Sequence, residues 1–419
     1  MSNLFKSDFS RNSFILVLGS VLGQAISSLT LPLQARLYSP QEIGTFAIYF
    51  SIVSGLAAVA SARYELAIIL LKEDKASANT AGLAFCLLCF FSLFCLLWVL
   101  VNEFFFHSEL VKRFMDPLEN GVLPLFVFLL GLMQLLNSWM VRVKAFKTAS
   151  WGRFVQSFIS NSFLLVLGAY GFHIWGLLAG NLIGLLLTVC FLFFILWRKK
   201  VVDFRNVSFR EMFRQAKEYK SIPAFNLPQT LADLFLMNGV LILMGFFFDR
   251  TETGFFSFAL RALVLPVGIL AIPLGAVFYQ KGSETYNNGG KLDRLVRNAM
   301  GRSALLALPF LLFFLMEGPY LFALVFGEKW RPAGQFARIL APWFYLEFVK
   351  TSVSGALVIL GKLRLMLLIS LTGAGLTLLS LFYGGEFLKS IVQSLGILSG
   401  LMCTLQIFYL WLIYSIVTR

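Results

Sequence analysis

Long blocks of apolar residues constrain this chain more than any other feature of its sequence. Residues 85–101 and 177–197 are almost entirely apolar, and about 20 such residues in a helix cross the roughly 30 Å hydrocarbon core of a bilayer. Backbone polar groups in lipid must find partners within the chain, which leaves helices or a closed β-barrel. Barrel strands alternate apolar and polar side chains, and these blocks do not, so the sequence predicts membrane-spanning helices.

The apolar blocks predict twelve spans with short connections. Only 13% of the 419 residues are charged, compared with about 25% in a soluble domain. The longest connection runs from residue 198 to about residue 223, so we expect no soluble catalytic domain. The predicted spans are residues 13–33, 43–61, 77–101, 122–141, 154–172, 174–197, 224–248, 255–279, 299–316, 336–360, 363–383 and 391–417.

The net charge of +14 has an explanation in membrane topology. With the N-terminus inside the cell, most lysines and arginines fall in segments on the cytoplasmic side, and the basic loops of membrane proteins stay on that side. The sequence therefore predicts that both termini are cytoplasmic. A nucleic-acid partner is not expected, because no basic soluble module is present to bind a phosphate backbone.

A basic linker over residues 201–222 separates the sixth and seventh spans. Its apolar residues recur at helical spacing with cations between them. The apolar set is Phe209, Met212, Phe213, Ala216 and Tyr219, and the basic set is Arg210, Arg214, Lys217 and Lys220. A helix of this kind lies on the bilayer surface with its cations toward anionic head groups.

A short motif repeats halfway along the chain. The sequence Glu-Ile-Gly-Thr-Phe begins at Glu42, and Glu-Thr-Gly-Phe-Phe begins 210 residues later at Glu252. Two halves of six helices each would share one orientation and be related by an axis along the membrane normal. We therefore predict two six-helix lobes with pseudo-twofold symmetry, at residues 1–200 and 223–419, joined by the linker at 201–222 and enclosing a cavity.

Three arginines and two carboxylates fall where lipid should not tolerate charge. Arg261 lies inside the eighth span, where an arginine costs about 2.5–3.5 kcal/mol on insertion scales and is a candidate functional group. Arg36 follows the first span, and Arg63 with Glu65 closes the second; these side chains line a cavity or reach the membrane interfaces. Asp233, in the proline-containing seventh span, could bind a proton or a sodium ion, or neutralise Arg261.

Other polar groups point to structure rather than chemistry. Glu347 and Lys350, three residues apart in the tenth span, are expected to pair with each other. The five cysteines lie in apolar blocks, the two histidines are isolated, and no Walker loop is present. We therefore expect no cofactor and no metal site, apart from coupling to Na⁺ or H⁺.

Four stretches of the sequence carry a family resemblance. They are RLYSPQEIGTFAIYF at 36–50, RYELAIILLKEDKA at 63–76, ALRALVLPVGILAIPLGAVFYQKGSE at 259–284 and FGEKWRPAGQFARIL at 326–340. Together they resemble the Wzx-type flippases of polysaccharide biosynthesis, which move O-antigen or capsule repeat units. That group belongs to the MOP exporter superfamily, with the lipid II flippases and the MATE antiporters.

The resemblance implies a function in the bacterial inner membrane. The cargo would be an undecaprenyl-pyrophosphate-linked oligosaccharide, moved from the cytoplasmic to the periplasmic leaflet by alternating access through a cationic cavity. Arg36, Arg63 and Arg261 match arginines that face the cavity in lipid II flippases, and Asp233 matches an acid that binds sodium in some of them. The resemblance also implies partners in the same pathway, a polysaccharide polymerase and a chain-length regulator.

Two other classes of protein are weaker alternatives. A MATE-like small-molecule antiporter would be expected to carry several buried carboxylates for ion coupling, and Asp233 is the one good candidate in this sequence. A membrane-embedded polymerase or glycosyltransferase would need a large outer loop or a pair of metal-binding acids. The outer loop at 102–118 is short, and no Asp-x-Asp spacing occurs in the chain.

Overall fold

The structure, a computed structural model, describes residues 8–71, 73–106, 116–198 and 207–418. The side chains of residues 8–21 and of several others, most of them in the seventh span, are outside the described set. Within these ranges every regular element is helical, with twelve long helices and no strand. The prediction of an all-α membrane protein with about twelve spans is confirmed.

The long helices are numbered in chain order, and a shorter one forms part of the linker. The first six are α1 (Asp8–Leu37), α2 (Pro40–Val59), α3 (Asp74–Val101), α4 (Pro117–Arg142), α5 (Phe146–Ala169) and α6 (His173–Arg198). The linker helix is Phe209–Glu218. The others are α7 (Ser221–Phe247), α8 (Arg250–Asn287), α9 (Asp293–Phe326), α10 (Arg331–Val353), α11 (Leu363–Tyr383) and α12 (Ile391–Thr418).

Short helical segments interrupt this pattern at the ends of the long helices. Between α2 and α3 lie a 3₁₀ turn at Tyr64–Leu66 and one α-helical turn at Ala67–Leu70. A second 3₁₀ turn, Glu328–Trp330, precedes α10. A π turn at Val267–Ala271 divides α8 directly after Pro266, where proline removes a backbone donor and disturbs the regular ladder.

Judged by length and composition over the described residues, eight helices are apolar enough to cross a membrane, namely α2, α3, α4, α6, α8, α9, α11 and α12. The predicted boundaries that differ from the observed ones by eight residues or more are the start of α5 and the ends of α8 and α9. Helix α5 begins at Phe146, eight residues before the predicted start. The predicted start is late because Lys147 and Arg153 interrupt the apolar block. Helix α9 continues to Phe326 through Pro309 and Pro319 and has 34 residues.

The contacts divide the chain into two compact units. Unit 1 comprises Met1–Tyr38 and Thr45–Ile242, and unit 2 comprises Ser39–Gly44 and Leu243–Arg419. Most of α7 therefore groups with unit 1, where the amide of Asn238 donates to the Ser54 hydroxyl over 3.1 Å. The predicted division into lobes at the linker stays a prediction, and the contact units place the change of partners inside α7.

Unit 1 contains a row of hydrogen-bonded side chains between α1 and α5, which we call the polar seam. It consists of Ser27, Thr30, Gln34, Ser157 and Asn161. The Asn161 Oδ1 accepts from Thr30 over 2.7 Å and from Gln34 over 2.8 Å, and the two serine hydroxyls are 3.0 Å apart. Polar side chains of this kind bind helices together where apolar packing gains little over lipid.

Tyr38 extends the contact between α1 and α5 just beyond the end of α1. Its hydroxyl donates to the Leu164 carbonyl over 2.6 Å, and the side chain is completely buried. The ring occupies a space kept open by Gly168 and Gly176, where an added Cβ would collide with the tyrosine. Both glycines are therefore required by close packing.

In unit 2, the long helices α8, α9 and α12 pack against α10. An aromatic cluster fixes the start of α10. Trp330 is fully buried, stacks on Phe258 with ring centroids 4.1 Å apart, and packs edge-on against Phe255. Phe326 meets Phe258 edge-on at 4.9 Å. The 3₁₀ turn is thus held against the first half of α8.

The two copies of the repeated motif contact each other in unit 2. A Cβ added to Gly44 would overlap the carbonyl oxygen of Arg250 and lie 2.7 Å from the Gly254 nitrogen. A Cβ added to Gly254 would overlap the carbonyl oxygen of Pro40 and lie 3.1 Å from the Gly44 nitrogen. The contact is reciprocal and follows the 210-residue offset of the repeat, so each motif supplies the space for the other.

Candidate functional site

Arg63 lies in a tight turn at the end of α2. Ala62 and Arg63 have φ angles of 48° and 64°, in the left-handed region that residues other than glycine seldom adopt. This geometry turns the arginine back toward Glu65, and its Nη1 lies 3.3 Å from Glu65 Oε1. Glu65 is buried and also accepts a hydrogen bond from the Ser61 hydroxyl. The structure therefore brings these two predicted site residues together.

Arg142, at the end of α4, holds the segment that follows Arg63. Its guanidinium donates to the carbonyls of Ile68 and Leu71 and pairs with the carboxylate of Asp74 over 2.8 Å. These bonds satisfy carbonyls at the end of the short helix Ala67–Leu70, which has too few residues to satisfy its own. The backbone around Arg63 is thus fixed on the α4 side.

Arg36 occupies the last turn of α1, where a cation is favoured by the negative end of the helix dipole. Its side chain is exposed. Along the chain it follows Gln34 of the polar seam and precedes the buried Tyr38. Helix α1 therefore presents this arginine from a stretch that is fixed on both sides.

Arg261 lies in unit 2, eleven residues after the start of α8, which is about 16 Å along the helix at about 1.5 Å per residue. The side chain is half-buried. Among the described side chains of its own unit, it has no hydrogen-bond or ion-pair partner. An arginine costs several kcal/mol inside a membrane helix, and the described side chains of unit 2 supply no partner that would compensate this cost.

A polar cluster that sequence reasoning found only in part joins α10 to α12. The predicted pair is confirmed, because Lys350 Nζ lies 2.7 Å from the Glu347 carboxylate. Gln406 could not be recognised from the sequence, because it is a single amide in an apolar block. Its side chain is buried and donates to Glu347 over 2.6 Å. The carboxylate thus has one cationic and one neutral donor within unit 2.

The remaining predicted site residues stay predictions. Asp233 falls in α7, but its side chain lies outside the described set. Arg36 and Arg63 belong to unit 1 and Arg261 to unit 2, so each is described within its own unit. Over the described part of the chain, no group of three or more histidine, cysteine or acidic side chains could hold a metal ion.

Comparisons with known proteins identify a family and a fold. Residues 33–335 match the model of a family described as "Polysaccharide biosynthesis protein". No protein with curated information matches the sequence.

The structure is similar to that of a multidrug resistance MATE family transporter of the MOP superfamily in an inward-facing conformation (TM-score 0.68, 15% identity, 94% of each chain covered). It is equally similar to the lipid II flippase MurJ in an inward closed conformation (TM-score 0.68, 14% identity, covering 96% of this chain and 86% of that one). A MATE in complex with MaD5 is more distant (TM-score 0.58, 14% identity, 99% and 98% covered). These neighbours have a twelve-helix, two-lobe fold, and the likeness establishes that fold for this chain.

Proposed function

We propose, because the chain belongs to the polysaccharide biosynthesis protein family, that this multi-pass membrane protein flips an undecaprenyl-pyrophosphate-linked oligosaccharide. The direction would be from the cytoplasmic to the periplasmic leaflet of a bacterial inner membrane. The observation that carries the proposal is Arg261, a half-buried cation in a membrane helix with no partner among the described side chains of its unit. A phosphate-bearing lipid is a ligand that could neutralise it.

Phosphate chemistry explains why arginines would serve this cargo. The diphosphate of a lipid-linked sugar loses most of its water when it passes the middle of a membrane. Arginine offers planar, paired donors that bind phosphate oxygens two at a time, and charge-assisted bonds of this kind are strong. Arg63 already forms an ion pair with Glu65, with Nη1 and Oε1 3.3 Å apart. In the proposed cycle the diphosphate competes with this carboxylate for the guanidinium.

A second candidate function is ion-coupled antiport of a small molecule. The cluster of Glu347, Lys350 and Gln406 favours it, because an intramembrane carboxylate is a group that proton- or sodium-driven carriers use. The same carboxylate would serve a flippase that draws on an ion gradient. The identity of the transported molecule therefore distinguishes the two functions better than this cluster does.

The decisive experiment is depletion of the protein in its host, followed by labelling with a reagent that cannot cross the membrane. The proposal predicts that lipid-linked saccharide accumulates and becomes inaccessible to the label. Accumulated saccharide that remains accessible from outside would overturn it, and an antiporter would leave the lipid-linked pool unchanged.

Site variants then test the arginine. Arg261→Ala should lower flipping about tenfold or more, since a bond to a charged group is worth roughly 1.5–3 kcal/mol, and Arg261→Lys should restore part of it. Arg302→Ala, which removes an exposed cation from α9, is the matched control. Equal flipping by the Arg261→Ala and Arg302→Ala variants, at equal protein levels, would exclude a cargo-binding role.

A further inference from the structure

We propose that the linker helix binds anionic phospholipids of the leaflet beside it and thereby steadies the turn that carries Arg63. All the residues concerned belong to unit 1. The lipid binding stands without the proposed function, whereas its consequence for transport rests on that function.

One face of the linker helix is docked on α3. Met212 and Gln215 are buried on this face. A Cβ added to Gly82 would lie 2.6 Å from the Met212 Cε, so α3 has a notch that receives the methionine. At the start of the helix, the Ser208 backbone N–H donates to the buried Asn79 side chain over 2.9 Å. The helix is therefore a fixed part of unit 1, with one orientation.

The opposite faces are built for a lipid interface. Phe209 and Phe213, one turn apart, are 83% and 75% exposed, although phenylalanine is normally buried. The adjacent stripe carries Arg210, Arg214 and Lys217, all exposed.

This combination defines the chemistry of the occupant. The rings need an apolar medium. The basic side chains favour anions at the same depth, and Arg214, which pairs with Glu211 over 2.6 Å, still has its side chain 64% exposed. Apolar rings beside a basic stripe are typical of helices that lie at the boundary between acyl chains and anionic head groups. An acidic phospholipid supplies both requirements in one molecule, whereas an acidic soluble partner would leave the rings without an apolar environment.

The helix also contacts the turn at Arg63. The Tyr64 hydroxyl donates to the Ala216 carbonyl over 3.0 Å, and Tyr64 is the residue after Arg63. Burial raises the pKa of the Tyr64 hydroxyl above its ordinary value, which favours the protonated form that donates this hydrogen bond. Tyr64 is thus a positioning residue, because it joins the lipid-facing helix to the arginine without touching the cargo.

The test is amide hydrogen exchange of the full chain in bilayer nanodiscs, with and without phosphatidylglycerol in a zwitterionic lipid. We expect phosphatidylglycerol to slow exchange across residues 209–218. A basic residue at a membrane surface contributes about fivefold in affinity, roughly 1 kcal/mol, so the triple variant Arg210→Gln, Arg214→Gln, Lys217→Gln should lose most of this protection.

A matched triple variant, Lys291→Gln, Arg294→Gln, Arg297→Gln, removes three exposed cations from the beginning of α9 and its preceding loop and should leave the protection unchanged. Equal exchange of the wild-type linker in the two bilayers would overturn the proposal. So would protection that requires added cytosolic protein, which would mean that a protein covers this face.

A second variant tests the connection to Arg63. In Tyr64→Phe, phosphatidylglycerol should still protect the linker helix but should no longer protect residues 61–68; Tyr170→Phe, at an exposed tyrosine, is the control. Unchanged lipid-dependent protection of 61–68 in Tyr64→Phe would refute the connection and leave the lipid binding intact. Because exchange does not measure flipping, none of these results depends on the identity of the cargo.

Discussion

The reciprocal contact between Gly44 and Gly254 predicts that replacing either glycine by alanine destabilises the protein. Replacing either glycine by alanine adds one methyl group where two helices meet backbone to backbone. At Gly44 the new carbon would overlap the carbonyl oxygen of Arg250, and at Gly254 it would overlap that of Pro40. Since both obstacles are backbone atoms, no side chain can rotate aside. The first turn of α2 and the beginning of α8, both in unit 2, must separate by roughly an ångström instead.

The cost follows from two opposing terms. Overpacking of a well-packed site costs about 1–3 kcal/mol, and a rigid backbone contact belongs at the upper end. Alanine gains about 1 kcal/mol over glycine in a helix. The net loss of unfolding free energy for Gly44→Ala should therefore be about 2 kcal/mol.

Gly55 provides the matched control, since it lies in the same helix, α2, and a Cβ there would meet nothing within 4 Å. Gly55→Ala should gain the propensity term without the collision, so the two variants should differ by about 3 kcal/mol. Equilibrium unfolding in mixed micelles measures the difference. The double variant Gly44→Ala, Gly254→Ala should cost less than the sum of the single changes by about 1 kcal/mol or more, because one separation makes room for both methyl groups. Gly44→Ala as stable as Gly55→Ala, or strictly additive costs, would refute the reciprocal contact.

Three further predictions concern contacts within single units. Gln406→Leu removes a donor to Glu347 and should lower the unfolding free energy by about 1 kcal/mol. The control Gln393→Leu, at an exposed site of the same helix, should change it little. Equal effects of the two variants would argue against the cluster. Tyr38→Phe loses the hydrogen bond to the Leu164 carbonyl and should lower the unfolding free energy by about 1 kcal/mol. Thermal unfolding measures the change against the control Tyr170→Phe. A change no larger than in that control would contradict the role of the hydroxyl. Trp330→Ala removes the central ring of the aromatic cluster and should lower the unfolding free energy by about 3–5 kcal/mol. The control Trp151→Ala, at a largely exposed position, should lower it far less. Similar melting temperatures for the two variants would show that the cluster is not a core.

The presence of the helices could be predicted from the sequence, because an uninterrupted apolar block in lipid has few alternatives to helical structure. Helix ends were harder to predict where a helix begins with charged residues. Helix α5 carries Lys147 and Arg153 in its first two turns, so its beginning resembles a connection and the predicted start is eight residues too late. In α8 the π turn after Pro266 is a backbone rearrangement, and no side-chain pattern in the sequence specifies it.

The candidate site shows the same limit. The charged residues themselves could be found from sequence, because a charge in an apolar block is conspicuous. Their partners could not be found in this way. The pairing of Arg63 with Glu65 depends on two consecutive left-handed residues, and Gln406 reaches Glu347 only because α12 packs against α10 at that level. Spacing along one helix predicted the Glu347–Lys350 pair, whereas contacts between elements required the structure.

The polar seam limits how Arg36 can move. Pro32 interrupts the hydrogen-bond ladder of α1 and would be the expected place for that helix to bend. Thr30 and Gln34, on either side of the proline, both donate hydrogen bonds to Asn161 of α5. Tyr38, four residues after Gln34, is hydrogen-bonded to the Leu164 carbonyl of the same helix. Bending at this point would leave several polar groups in hydrocarbon without hydrogen-bond partners, and no water is present there to replace them. Arg36 thus has no independent backbone freedom, and any large displacement of it during a transport cycle must be a rigid-body displacement that carries α5 along with α1.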